Sequence, residues 1–164
     1  MANLSLGRKI ALGIVTLLVL IQLVPYGRSH ENPPHVKEPA WDSAKTRELA
    51  KAACFDCHSN QTVWPWYSHI APVSWLLQDH VDDGRKHLNF SEFNHPQRDA
   101  DEAVEMVEKS IMPLKNYTWL HPEARLSDAD RDALAKGLEA TLGKGGDGDG
   151  KQDADDEDED DDDD

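Results

Sequence analysis

Five consecutive residues, Cys54-Phe55-Asp56-Cys57-His58, hold the chain's only two cysteines and a histidine directly after the second. Thiols at this spacing can reach the two vinyl groups on one edge of a haem and form thioethers. The imidazole that follows can then project toward the iron as its proximal ligand. Three other chemistries use cysteines in this way. A thioredoxin-like dithiol needs a preceding strand and a β-α-β setting, and neither is visible before Cys54. A structural zinc wants two more soft ligands with close spacing of their own, and the sequence has no second pair. A short structural disulfide suits an exported chain. The trailing histidine puts covalent haem c, one group per chain, ahead of disulfide or dithiol, and zinc last.

A haem iron has a sixth position. Downstream candidates for it are Met106, Met112, His69, His80, His87, His95 and His121. Met112 stands where a helical pattern ends, and Pro113 then forces extended chain. That places a thioether on a loop with freedom to reach the haem face opposite His58. The bland reading of Met112 is a gap-filling core methionine. Met106 falls mid-helix and reads as an ordinary core or surface side chain. The histidines read better as loop or surface groups than as ligands. Histidine and methionine together raise the reduction potential and fill both axial positions, which suits electron transfer. Trp64, Trp66 and Trp75 could wall the macrocycle, Tyr117 or Trp119 could donate to a propionate or the sulfur, and Arg85 could pair with a propionate, although a solvated arginine is the simpler reading.

These residues need helices to position them. Asp42 or Ser43 can cap a helix that runs to about Ala53 and leads straight into the cysteines. Ser74 can cap a second through Trp75, Leu76, Leu77, His80 and Val81, stopped by Gly84. Ala103, Val104, Val107 and Ile111 share one face of a third over 100–111. Ser127, with Asp130 three residues on, opens a fourth with Ala133, Leu134, Leu138 and Leu142 inward and Gly143 at its end. No alternating apolar run of strand length stands out. The class is all-α: a small cytochrome c-like helical domain over 41–143, with long loops around one haem.

The ends of the chain set the compartment. Residues 1–9 are a positive n-region with Arg8 and Lys9, and 10–26 are an uncharged apolar run, either a signal anchor or a signal peptide. The positive side stays in the cytoplasm, so the rest is exported. Gly27-Arg28-Ser29 makes a poor cleavage site. Residues 27–40 hold three prolines and read as an extended linker that keeps the domain off the membrane. Residues 144–164 form an acidic tail, with 13 acidic side chains against one lysine between Asp147 and Asp164. Nothing apolar offsets the entropy of ordering it, so disorder is the expectation. Asp147-Gly-Asp starts like a calcium loop, but Lys151 and Gln152 stand where an oxygen ligand and a glycine are needed. Most of the net charge of −15 lies in this tail. The near-neutral body lacks a basic footprint for nucleic acid. A chain of 164 residues with both ends set aside is also too short for a large barrel or a two-domain dinucleotide enzyme.

Further motifs extend the pattern: Gln22-Leu-Val-Pro-Tyr-Gly-Arg28, Ser59-Asn60 after the histidine, Trp64-Pro-Trp-Tyr-Ser68, and Ile70-Ala-Pro-Val-Ser-Trp75. Gly84-Arg85, Leu88-Asn-Phe-Ser91, Met112-Pro113, Tyr117 and His121-Pro-Glu-Ala-Arg-Leu-Ser127 follow. Over about residues 20 to 140 the chain resembles the bacterial haem-binding domain proteins, small c-type cytochromes. The resemblance implies an exported, often membrane-anchored monohaem domain, with His58 proximal and the Met-Pro methionine, Met112, distal. The expected function is single-electron transfer between periplasmic or membrane redox partners, by a carrier and not a catalyst. The expected location is the cytoplasmic membrane with the haem domain in the periplasm, or the periplasm itself if the signal is cleaved. The alternative is a haem sensor or peroxidase-like enzyme with a displaceable sixth ligand. The resemblance names no redox partner, and the acidic tail matches nothing in it.

Overall fold

A computed structural model describes residues 5–143. The acidic tail and the first four residues, with the expectations placed on them, lie outside the described residues. The architecture is all-α, and no strand occurs among the described residues. An apolar helix α1 (Leu6–Leu20) runs into a 3-10 turn at Ile21–Leu23. It starts four residues before the apolar run, because Arg8 and Lys9 fit its first turns. Next come α2 (Ala44–Ala53), the single turn α3 (Phe55–His58) and a 3-10 turn at Trp66–His69. The long α4 (Val73–His87), the short α5 (Ala103–Glu108) and α6 (Lys115–Leu120), a 3-10 turn at Pro122–Ala124 and α7 (Asp128–Leu142) complete the chain.

Local chemistry starts two of these helices. The Ser43 hydroxyl accepts from the Thr46 amide at 3.1 Å, and the Ser127 hydroxyl accepts from the Asp130 amide at 3.1 Å. Each supplies an acceptor for an amide that the helix leaves unpaired. Helix α7 packs on α2 and α5, and α4 packs across α3 and the Trp66–His69 turn. Between them lies a core of Leu49, Ala50, Phe55, Leu88, Phe90, Val107, Leu134, Ala135 and Leu138. Phe90 is its hub, with the Phe55 ring 5.5 Å away and the Trp41 ring at 5.2 Å. At Gly137 the two helices nearly touch: a Cβ there would sit 2.0 Å from Thr46 Oγ1.

Four sequence expectations change. Pro72, not Ser74, precedes α4, and Ser74 is buried inside its first turn. Gly84 does not stop α4, which continues to His87. Its lack of a side chain serves close packing instead: a Cβ on it would lie 2.4 Å from the Cys57 carbonyl oxygen. Helix α5 ends at Glu108 and not near 111, because Ser110 turns left-handed with φ 55°. In α7 the buried face is Leu134, Ala135, Gly137 and Leu138, while Ala133 is exposed.

The proline-rich stretch is extended but is no free spacer. It lies along the domain: Asn32 Nδ2 donates to the Thr62 carbonyl at 2.9 Å, and Asn60 Nδ2 donates to the Pro34 carbonyl at 3.0 Å. The Val36 and Lys37 amides both donate to the Ser91 carbonyl at 2.9 Å. His30 stacks on Trp64 with ring centres 4.6 Å apart.

Candidate functional site

Helix α3 is the motif itself. The amides of Cys57 and His58 both donate to the Cys54 carbonyl, at 3.2 and 2.9 Å, so the five residues form one helical turn. Residues three apart on such a turn share a face. Both sulfurs are unpaired, and both line a cavity of about 580 Å³ together with His58. This size lies within the roughly 300–1,000 Å³ of cofactor pockets.

The surroundings hold this turn rigidly. His58 Nδ1 lies 3.1 Å from the Leu88 carbonyl oxygen, to which it donates as the Nδ1–H tautomer. That leaves Nε2 as the lone-pair nitrogen, the arrangement metal-binding imidazoles use. The His58 carbonyl in turn accepts from the Phe90 amide at 2.8 Å. A buried polar chain continues behind the motif. Asn89 Nδ2 donates to Asn60 Oδ1 at 2.8 Å, the Asn60 amide donates to Ser91 Oγ at 3.0 Å, and Asn60 Nδ2 donates to Glu92 Oε1 at 2.8 Å. Sequence reasoning noted Ser59-Asn60 and Asn89-Phe-Ser91 only as a resemblance. Their role is to join the motif to the segment after α4, and two polar pairs beside apolar residues were the available signal.

Burial sets the electrostatics. Desolvation, with the neighbouring Cys57, pushes the Cys54 thiol up to about 12. Desolvation and Asp56 push the Cys57 thiol up to about 11, against a lowering by Arg85. Thiols held this high stay protonated near neutrality, which argues against a dithiol oxidoreductase, since that chemistry needs a thiolate. Burial also lowers His58, against its hydrogen bonding to the backbone of Leu88 and Gly84, so the neutral ring is favoured. Among the described residues no group of three or more His, Cys, Asp or Glu side chains could share a metal ion, so the zinc reading gains nothing.

A further part of the cavity lining comes from α5, the turn after it and α6. The amides of Ile111 and Met112 both donate to the Met106 carbonyl at 3.0 Å. This turn brings Met112 to the cavity, where Met106 also lines the wall. His80, His87 and His121 line the cavity as well, whereas His69 and His95 do not. His87 pairs with Asp99, and His121 has Tyr67 Oη at 2.8 Å from Nε2 and Glu123 Oε1 at 3.1 Å from Nδ1. Tyr117 stacks on His121 at 4.1 Å and donates to Asp56 Oδ2 at 2.7 Å. Its hydroxyl is thus committed within the protein, and burial first, then Asp56, raises its pKa well above the usual tyrosine value.

Of the other side chains considered, Trp119 points outward at 79% exposure and Trp66 is 76% exposed. Trp75 borders a separate hollow beside Tyr26. Trp64 does wall the cavity, and its Nε1–H is buried with no protein acceptor. Arg85 spends its guanidinium on the protein, donating to the Ser59 carbonyl at 2.9 Å, Asn32 Oδ1 at 2.8 Å and Thr62 Oγ1 at 3.0 Å. It ties α4 to the motif and to the proline-rich segment, so neither the propionate nor the solvated reading describes it.

A large apolar cavity lined by two thiols, an oriented imidazole, two soft thioethers and one unanswered indole N–H makes a donor set that fits a haem. The fold and the site define a helical haem-binding domain behind an apolar N-terminal helix. The haem-binding domain family model matches residues 16–140, and the chain belongs to that family. No curated protein and no solved structure matches it.

Proposed function

We propose that this haem-binding protein is an exported c-type cytochrome, tethered by its N-terminal helix, that carries one covalent haem and passes single electrons to redox protein partners. The observation that carries the reading is the His58 wall: an imidazole with Nδ1 committed to a backbone carbonyl, one turn beyond two cavity-facing thiols. When bound, the haem supplies two vinyl groups for thioether bonds and an iron that cycles between its ferric and ferrous states. Cys54 and Cys57 would hold its edge, each adding its S–H across one vinyl group with no leaving group. His58 would take the proximal position and Met112 the distal one, the soft thioether favouring the ferrous state. The apolar α4 side chains exclude water, which further stabilises the less charged form of the site. Trp64 would donate to a propionate.

Export is supported by Arg8 and Lys9 ahead of the apolar helix. Retention of that helix is supported by the family match, which begins at residue 16, inside it. The test uses the purified protein. Haem stain should stay with the polypeptide on a denaturing gel, and the oxidised spectrum should show methionine-to-iron charge transfer. Haem that leaves the chain on denaturation overturns covalent attachment. Rapid carbon monoxide binding by the reduced wild-type protein would favour the sensor or peroxidase-like reading, which needs an open sixth position.

A further inference from the structure

The apolar stretch Leu6–Leu23 has 18 residues of mean hydropathy 1.8, and none of these residues is buried in the protein, although Ile21 and Gln22 are partly covered. At 1.5 Å per residue it measures about 27 Å, against about 30 Å of hydrocarbon, so a spanning helix has no length to spare. Its second-last residue is already bonded to the haem domain. Gln22 Nε2 donates to the Ala71 carbonyl at 2.9 Å, and the Ala71 amide donates to Gln22 Oε1 at 3.0 Å. Arg28 Nη2 donates to the same Oε1 at 3.0 Å. The chain then turns at Gly27 (φ 72°) so closely that a Cβ there would lie 2.2 Å from the Ser74 carbonyl oxygen. Ala71 and the start of α4 therefore sit at the depth where the helix ends.

The side chains around that point suit such a depth. Ile70 is 45% exposed and Tyr26 48% exposed, and the outward Trp66 lies on the 3-10 turn that packs against α4. Tryptophan and tyrosine favour the membrane–water boundary, where one end of the ring is dry and the other wet. The acidic Asp79 borders the same hollow as Val24, Tyr26, Trp75 and Leu76, and Asp82 and Asp83 follow it on α4, so Tyr26 stands between the apolar helix and this polar face.

We propose that the haem domain lies directly on the bilayer its own helix enters, with Tyr26, Trp66 and Ile70 in the lipid headgroup layer and Gln22 clamping Ala71 to fix the tilt. Val73 and Leu76, on the next turns of α4, line the haem cavity, so one wall of the cavity starts at the membrane boundary. The inference rests on the reading of the N-terminal helix as a retained anchor.

The test places photoreactive benzoylphenylalanine at Ile70, at Trp66 or, as control, at exposed Lys136 on α7 of the full-length, haem-loaded chain in phosphatidylcholine nanodiscs. Lipid adducts should form at 70 and 66 and not at 136. Gln22→Leu keeps the span apolar, so the variant should stay in alkaline-washed membranes with its haem spectrum while the adducts at 70 and 66 are lost. Retention of the wild-type chain without adducts at either position overturns the inference alone. Release by alkaline wash with a new N-terminus near Ser29 overturns the anchor reading and this inference together.

Discussion

The two walls of the cavity are built by different means. The His58 wall is set by backbone contact and buried polar bonds: Gly84 against Cys57, the Leu88 carbonyl on His58, and Asn60 joined to Asn89 and Ser91. The Met112 wall rests on a helix of six residues, one left-handed serine and a turn whose two amides share the Met106 carbonyl. Ile111 beside it is exposed. The first wall has one arrangement, because any shift leaves a buried polar group unsatisfied at a cost of about 1–3 kcal/mol. The second has two thioethers and fewer buried bonds. In the proposed cytochrome, attachment would belong on the rigid wall and tuning of the iron on the adaptable one.

The hardest break in this comparison is chemical. Cys57→Ala should leave at most one thioether and sharply lower the yield of haem-loaded protein, read by haem stain and mass. Undiminished double attachment would contradict the assignment. Next comes the framework of the same wall. Gly84→Ala puts a methyl group into the Cys57 backbone, where no flexible side chain can give way. Overpacking of this kind costs about 1–3 kcal/mol, and each kcal/mol lowers the Tm of a domain this size by roughly 4–8 °C. A Tm within a degree of wild type would show that α4 is not pressed on the motif.

The Met112 wall should break differently. Met112→Ala should lower the reduction potential and let carbon monoxide bind the reduced protein, with a modest change in Tm. Met106→Ala should leave the potential alone and cost less than the ~2–5 kcal/mol of a fully buried methionine. If the two phenotypes are exchanged, Met106 is the ligand and Met112 the packing residue. Tyr117→Phe is the smallest change. It removes the donor to Asp56, a bond to an ionised group worth about 1.5–3 kcal/mol at most, less because the site is partly open to solvent. It should lower Tm by a few degrees and leave the haem attached. Loss of attachment in this variant would mean that α6 helps to position Asp56 between the two thiols.

The sequence by itself determined what is local. The cysteine and histidine spacing closes in one turn, and serine caps at Ser43 and Ser127 act on amides three residues away. The apolar N-terminal run and the all-α class follow from patterns inside single segments. The tertiary structure decided everything that joins distant segments. Gly84 reads as a helix stop until α3 lies against it, because a glycine's packing role depends on a neighbour 27 residues away in the chain. Asn60 meets Asn89 across 29 residues, and Gln22 meets Ala71 across 49. The same holds for the proline-rich segment, whose composition dictates extension but not attachment. Prolines leave carbonyls without competing helical partners, and only the folded domain supplies the side chains, such as Asn60, that bond them along its surface.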